Sequence, residues 1–147
     1  MNHEHKDGCI FCDALESADS SENLIAFRGK NAFVIMNRYP YTNGHLMVVP
    51  NVHQPSVEYL DVETRGEIME LLNRAIQVLR DVYYPEGFNI GTNIGDVAGA
   101  GIAGHVHFHV VPRWAGDTNF MTTTGMVRVL PEELYQTYER ILKAWKA

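Results

Sequence analysis

The chain has 147 residues, 46% of them hydrophobic and 20% charged, which suits one folded domain over residues 1–147 able to bury a core without disulfide staples. Its formal net charge is −6 with no block of like charge. That argues against long nucleic acid as a partner, while a small phosphate compound remains compatible if backbone amides and histidines converge on it.

The opening residues Met1 to Lys6 are polar and lack the apolar core of a signal peptide, and no apolar stretch is long enough to span a bilayer. The two cysteines sit in a single Cys-x-x-Cys, Cys9 to Cys12, which fits a reducing compartment; a cytoplasmic location is expected. Residues 14–23 are polar and read as a short helix or loop. Leu24–Arg28 and Ala32–Asn37 are strand candidates separated by a Gly29-Lys30-Asn31 turn. A turn-rich loop, Tyr39 to Gly44, leads to a third strand, His45–Pro50. From Val62 to Tyr83 the period changes: Ile68, Leu72, Ala75, Leu79 and Val82 form one apolar helical face, with Asp61 as N-cap and Pro85 as the stop. Gly87–Ile94 reads as a fourth strand and the glycine-rich Gly95–Gly101 as a loop. A fifth strand, His105–Val111, ends at Pro112. Leu134, Tyr138, Ile141 and Trp145 mark a last helix with Pro131 in its first turn. The order predicts an α+β fold, a mainly antiparallel five-stranded sheet with flanking helices.

The densest chemistry is His105-Val106-His107-Phe108-His109-Val110-Val111. Alternate strand residues share a face at a spacing of roughly 6.5 Å. Val106, Phe108 and Val110 are therefore expected in the core, with three imidazoles on the opposite face. Three readings compete: a polar strand face with no chemistry, a catalytic metal site, and histidine acting as nucleophile and acid. The preceding glycine loop, whose N–H groups can cradle phosphate, favours the third, as do His45 and His53 near the third strand.

The same segment resembles the His-φ-His-φ-His-φ-φ signature of the histidine triad superfamily, φ being apolar. Cys9-Ile10-Phe11-Cys12, Asn37-Arg38-Tyr39-Pro40 and Asn43-Gly44-His45-Leu46-Met47-Val48-Val49-Pro50 resemble further motifs of that family. The resemblance implies His107 as a nucleophile that becomes nucleotidylated, His109 as a phosphate ligand assisting the leaving group, and His45 as completing the phosphate site. It also implies substrate-binding roles for Asn37, Asn93 and the Gly101 loop, and a homodimer. Arg113-Trp114 and Gly116-Asp117-Thr118-Asn119-Phe120 are similar to the diadenosine tetraphosphate phosphorylase-like branch, with fragile histidine triad hydrolases as close relatives. Trp114 is divided between substrate binding and a core or interface role. Where many members carry Gln-Ser or Gln-Thr before the triad, this chain has Ala100-Gly101-Ile102-Ala103-Gly104, which leaves the acceptor, water or inorganic phosphate, open.

Cys9 and Cys12 supply half a tetrahedral metal site, and His53 and His105 are candidates for the rest. A redox motif and two unligated buried thiols are the alternatives. Relatives with Cys-x-x-Cys resemble a pairing of the thiolates with these two histidines, implying a closed structural zinc and no organic cofactor. His3 and His5 are read as tail. The function expected is cleavage of a dinucleoside polyphosphate by phosphorolysis or hydrolysis. A nucleoside phosphoramidate or adenylyl-amine hydrolase, a non-catalytic nucleotide-binding module and a metal-dependent hydrolase are the competitors.

Overall fold

Five strands pair antiparallel throughout in the order β1–β2–β3–β5–β4: β1 Ile25–Arg28, β2 Ala32–Met36, β3 Leu46–Pro50, β4 Gly87–Gly91 and β5 Phe108–Arg113. The computed structural model describes residues 6–20, 22–38, 43–117 and 133–147, so the expectations placed on His3, His5, Tyr39–Thr42, Thr118–Phe120 and Pro131 lie outside the described residues. Among the described residues three α-helices accompany the sheet: α1 Ile10–Glu16, α2 Val62–Tyr83 and α3 Leu134–Lys146. The expected α+β class and five-stranded antiparallel sheet are both observed.

Every residue of β2 and β3 is buried, as their unbroken apolar runs require of strands covered on both faces. On one side lies α2, where Ile68, Leu72, Ala75 and Leu79 of the expected stripe are buried together with Leu71 and Val78 and Val82 is only partly buried; the helix is begun by the Asp61 carboxylate accepting the Thr64 N–H at 2.8 Å. Glu67 reaches from α2 to the β1–β2 turn, where its carboxylate accepts the N–H groups of Asn31 and Ala32, each at 2.8 Å. Tyr138 and Trp145 anchor α3. The Tyr138 hydroxyl donates to the Ile25 carbonyl at 2.8 Å, and the Trp145 ring stacks on Phe27 at 5.5 Å. No helix of the described residues is long and apolar enough to cross a membrane.

Several boundaries differ from expectation; Pro112 does not end β5, which pairs through it to Arg113 opposite Gly87. A helix spans Ile10–Glu16 with Cys9 as its N-cap, four residues ahead of the segment 14–23 that the sequence offered as a short helix or loop. Strand β5 starts at Phe108, three residues late, because Val106 donates to the Gln54 carbonyl and the His107 carbonyl accepts the Thr92 hydroxyl, so neither joins the β3 ladder. For the same reason β4 stops at Gly91: Thr92 turns its side chain into the gap that a longer strand would have closed.

Candidate active site

Two of the triad imidazoles meet His45 across the β3–β5 pair, where Met47 stands opposite His109. His45 Nε2 lies 2.9 Å from His109 Nδ1, and the His107 and His109 rings are 4.9 Å apart. His107 Nδ1 lies 3.0 Å from the His105 carbonyl. A carbonyl only accepts, so the Nδ1 carries the hydrogen, and in the neutral ring the lone pair falls on Nε2. The Asn37 amide nitrogen donates to His45 Nδ1 at 3.2 Å. His45 then has its proton on Nε2 and donates it to His109 Nδ1, which leaves His109 with an Nε2–H. One side of the cluster thus offers a nucleophilic nitrogen and the other a donor.

Burial is the chief force on these rings. It pushes His45 down to about 4, with His109 and His107 adding to the shift, and it lowers His107 and His109 from their ordinary value. All three are neutral near pH 7. A folded value for His45 below its unfolded value of about 6.5 means that between those limits the unfolded chain binds more protons. The contribution is fully present above about pH 6.5 and is lost as pH falls toward 4, with a slope approaching ~1.4 kcal/mol per pH unit. Urea unfolding at about pH 7 and pH 5 should show this loss, and His45→Asn should reduce it by ~1 kcal/mol or more. An identical pH dependence in the variant would contradict the assignment.

The third triad histidine turns to a different task. His105 is fully buried, with Nδ1 at 3.3 Å from Cys9 Sγ, 3.7 Å from Cys12 Sγ and 3.2 Å from His53 Nδ1, while His53 Nδ1 is 3.5 Å from Cys12 Sγ. The four ligand atoms lie within 4.8 Å of one another. A tetrahedral metal with bonds of about 2.3 Å to sulfur and 2.05 Å to nitrogen requires N···S near 3.6 Å and N···N near 3.3 Å, and the cluster matches both. His105 Nε2 donates to the Pro50 carbonyl at 2.8 Å, which in the neutral ring leaves the Nδ1 lone pair turned toward the cysteines and His53. Burial pushes the Cys12 thiol up to about 11, and a divalent cation is the group that reverses such a shift. Cys9 and Cys12 do open a helix, as redox pairs do, but here two imidazoles complete the set.

A cavity of about 830 Å³ opens onto the two remaining triad histidines. His45, His107 and His109 stand on its wall together with Asn37, Asn93 and Gly101. Trp114, half-buried after β5, is outside that lining, and its backbone N–H donates to the Asp117 carboxylate. Sequence reasoning missed the opposite wall, where α1 contributes Ile10, Phe11 and Ala14 to an apolar floor shared with Leu24, Ile35 and Met36. It also missed Arg38, the one lysine or arginine among the described lining residues, whose guanidinium donates to the Glu22 carbonyl. Thr92 is a third omission, since its hydroxyl fixes the His107 backbone at 2.6 Å. An apolar slot leading to two imidazoles and glycine-loop amides can take a planar base at one end and a phosphate at the other.

A family model of the HIT domain matches residues 19–116. The chain belongs to the HIT family. Within it, this HIT protein is 43% identical over 124 residues to an AP-4-A phosphorylase of Mycobacterium tuberculosis, a match covering 84% of the chain and 64% of the relative, so the chain spans somewhat under two-thirds of that protein's length. It is 26% identical over 133 residues to an adenosine 5'-monophosphoramidase of Schizosaccharomyces pombe, covering 90% of the chain and 95% of the relative. A zinc-bound histidine triad family protein from Mycobacterium smegmatis has the same fold, with a TM-score of 0.73 at 23% identity over 95% of this HIT protein and 94% of the other.

Proposed function

We propose that the protein cleaves the phosphate chain of a dinucleoside polyphosphate of the diadenosine tetraphosphate type, through a nucleotidyl-His107 intermediate. The observation that carries this reading is the His107 Nδ1 contact to the His105 carbonyl, which leaves a neutral ring with its Nε2 lone pair available on the wall of a nucleotide-sized cavity. The likeness to a protein named AP-4-A phosphorylase supports it. His107 Nε2 attacks the α-phosphorus; the P–N bond forms as the P–O bond to the leaving nucleotide breaks, and the leaving oxygen keeps the electron pair. The substrate's negative charge favours protonation of the His45–His109 pair, so an imidazolium forms where the leaving group needs it. An acceptor oxygen then attacks phosphorus and returns the electron pair to Nε2.

The acceptor is read from products. With Ala100, Gly101, Ile102, Ala103 and Gly104 preceding the triad, any grip on phosphate there falls to backbone N–H groups, which serve inorganic phosphate and water alike. Incubation with diadenosine tetraphosphate should yield ATP plus ADP if phosphate is the acceptor, and ATP plus AMP without added phosphate if water is. Absence of either product pair, with turnover of an adenosine phosphoramidate instead, would replace this reading by the monophosphoramidase one that the Schizosaccharomyces pombe relative suggests.

In this reading Cys9, Cys12, His53 and His105 hold a structural zinc, as the donor set and its distances favour. With four protein ligands the ion has no position left for water, so it anchors α1. Asn37, Asn93 and Gly101, which line the cavity, are assigned to substrate binding, while Trp114, outside that lining, takes the core or interface role. The whole chain acts as one domain in the cytoplasm, where thiolates stay reduced. Two copies pair through the open edge of β4, which exposes Ile90, into a homodimer.

A further inference from the structure

Phe11 stands where the metal cluster and the nucleophile meet. It is fully buried and lies between Cys9, the N-cap of α1, and Cys12. Its ring meets His105 edge-on at 5.4 Å and tilts against His107 at 4.9 Å, while His109 packs against His107 from another direction, also at 4.9 Å. An imidazole has a broad, roughly two-fold preference about its second torsion, and one hydrogen bond between neutral groups holds it only modestly. A flipped His107 ring would carry Nδ1 away from the His105 carbonyl and withdraw the lone pair from the cavity. Turning the ring through the intermediate angles, or tilting it off the carbonyl, needs volume beside it, and the Phe11 ring lies 4.9 Å away on one side.

We propose that Phe11 is a positioning residue for His107: held in place by the Cys9–Cys12 turn, its ring blocks rotation of the imidazole and keeps Nδ1–H on the His105 carbonyl with Nε2 facing the cavity. The four-residue segment Cys9 to Cys12 then serves two ends at once. Its thiols belong to the metal cluster and its aromatic ring belongs to the nucleophile, so whatever fastens this turn also sets the His107 geometry. The inference relies on the proposed function only in calling His107 the nucleophile.

The test uses the metal-loaded protein and two variants, Phe11→Leu and Phe11→Met, the second keeping a volume close to that of phenylalanine should the first fail to fold. Nitrogen-15 spectra of the imidazoles without substrate should show His107 in a single Nδ1–H state in the parent and a mixture of ring states in either variant. The rate of nucleotidyl-histidine formation at saturating diadenosine tetraphosphate should fall about tenfold, with metal content unchanged. A His107 spectrum identical to the parent's overturns the proposal, and a raised KM beside that unchanged spectrum would mark Phe11 as a wall of the base slot. A shifted spectrum with an unchanged rate upholds the positioning and removes His107 from the nucleophile's role.

Discussion

His107→Asn is expected to lower kcat/KM for diadenosine tetraphosphate by ~10⁴-fold or more while the protein stays folded and still binds nucleotide. The amide can donate to the His105 carbonyl as Nδ1–H does, so the backbone contact at 3.0 Å survives. What disappears is the lone pair on Nε2, and with it the two-step route through a P–N bond. His109→Asn should cost less, about 10²- to 10³-fold, because in the proposed mechanism His109 stabilises charge and does not form the bond. Single-turnover assays with acid-labile phosphoramidate trapping measure both effects. Near-parent activity in His107→Asn would remove covalent catalysis from the account, and an equal loss in the two variants would point to a shared electrostatic role.

Cys12→Ser is the second substitution with a large consequence, and its effect is on the fold before it is on chemistry. Cys12 is fully buried with its sulfur 3.5 Å from His53 Nδ1, so the exchange would remove one ligand of the proposed zinc site. Structural metal sites contribute directly to folding free energy, and the expected loss is about 3 kcal/mol or more, a fall in Tm of ~10 °C for a domain of this size. Elemental analysis should find close to one zinc per chain in the parent and little in the variant. Full metal content with an unchanged Tm would mean that the cluster is not a metal site. Because α1 forms one wall of the cavity, the variant should also bind nucleotide more weakly than its residual fold would suggest.

Local patterns carried most of the architecture. The apolar stripe of α2, the cap at Asp61 and the apolar runs of β2 and β3 follow from periods that a few neighbouring residues set among themselves. The start of helix α1 escaped because its seven residues are too short to show a period and its cap is a cysteine, which lacks the usual preference for that position. The late start of β5 was hidden too, since the bonds that divert it come from Gln54 and Thr92 on other elements. At the site, residue types and spacing pointed to His107, His109 and His45, and to the four possible metal ligands. They placed no weight on Phe11, because an aromatic between two cysteines looks like filler until its ring is seen against His107.

The sequence by itself therefore determined which elements form and which side chains can donate, accept or ligate, since these depend on near neighbours and on the chemistry of each residue. Only the tertiary structure decided how the triad divides, with His105 joining thiols more than ninety positions away while His107 and His109 face the cavity. Only it decided which imidazole nitrogen carries each proton, because that depends on partners, such as Asn37 for His45, that chain order does not bring together until the sheet is assembled.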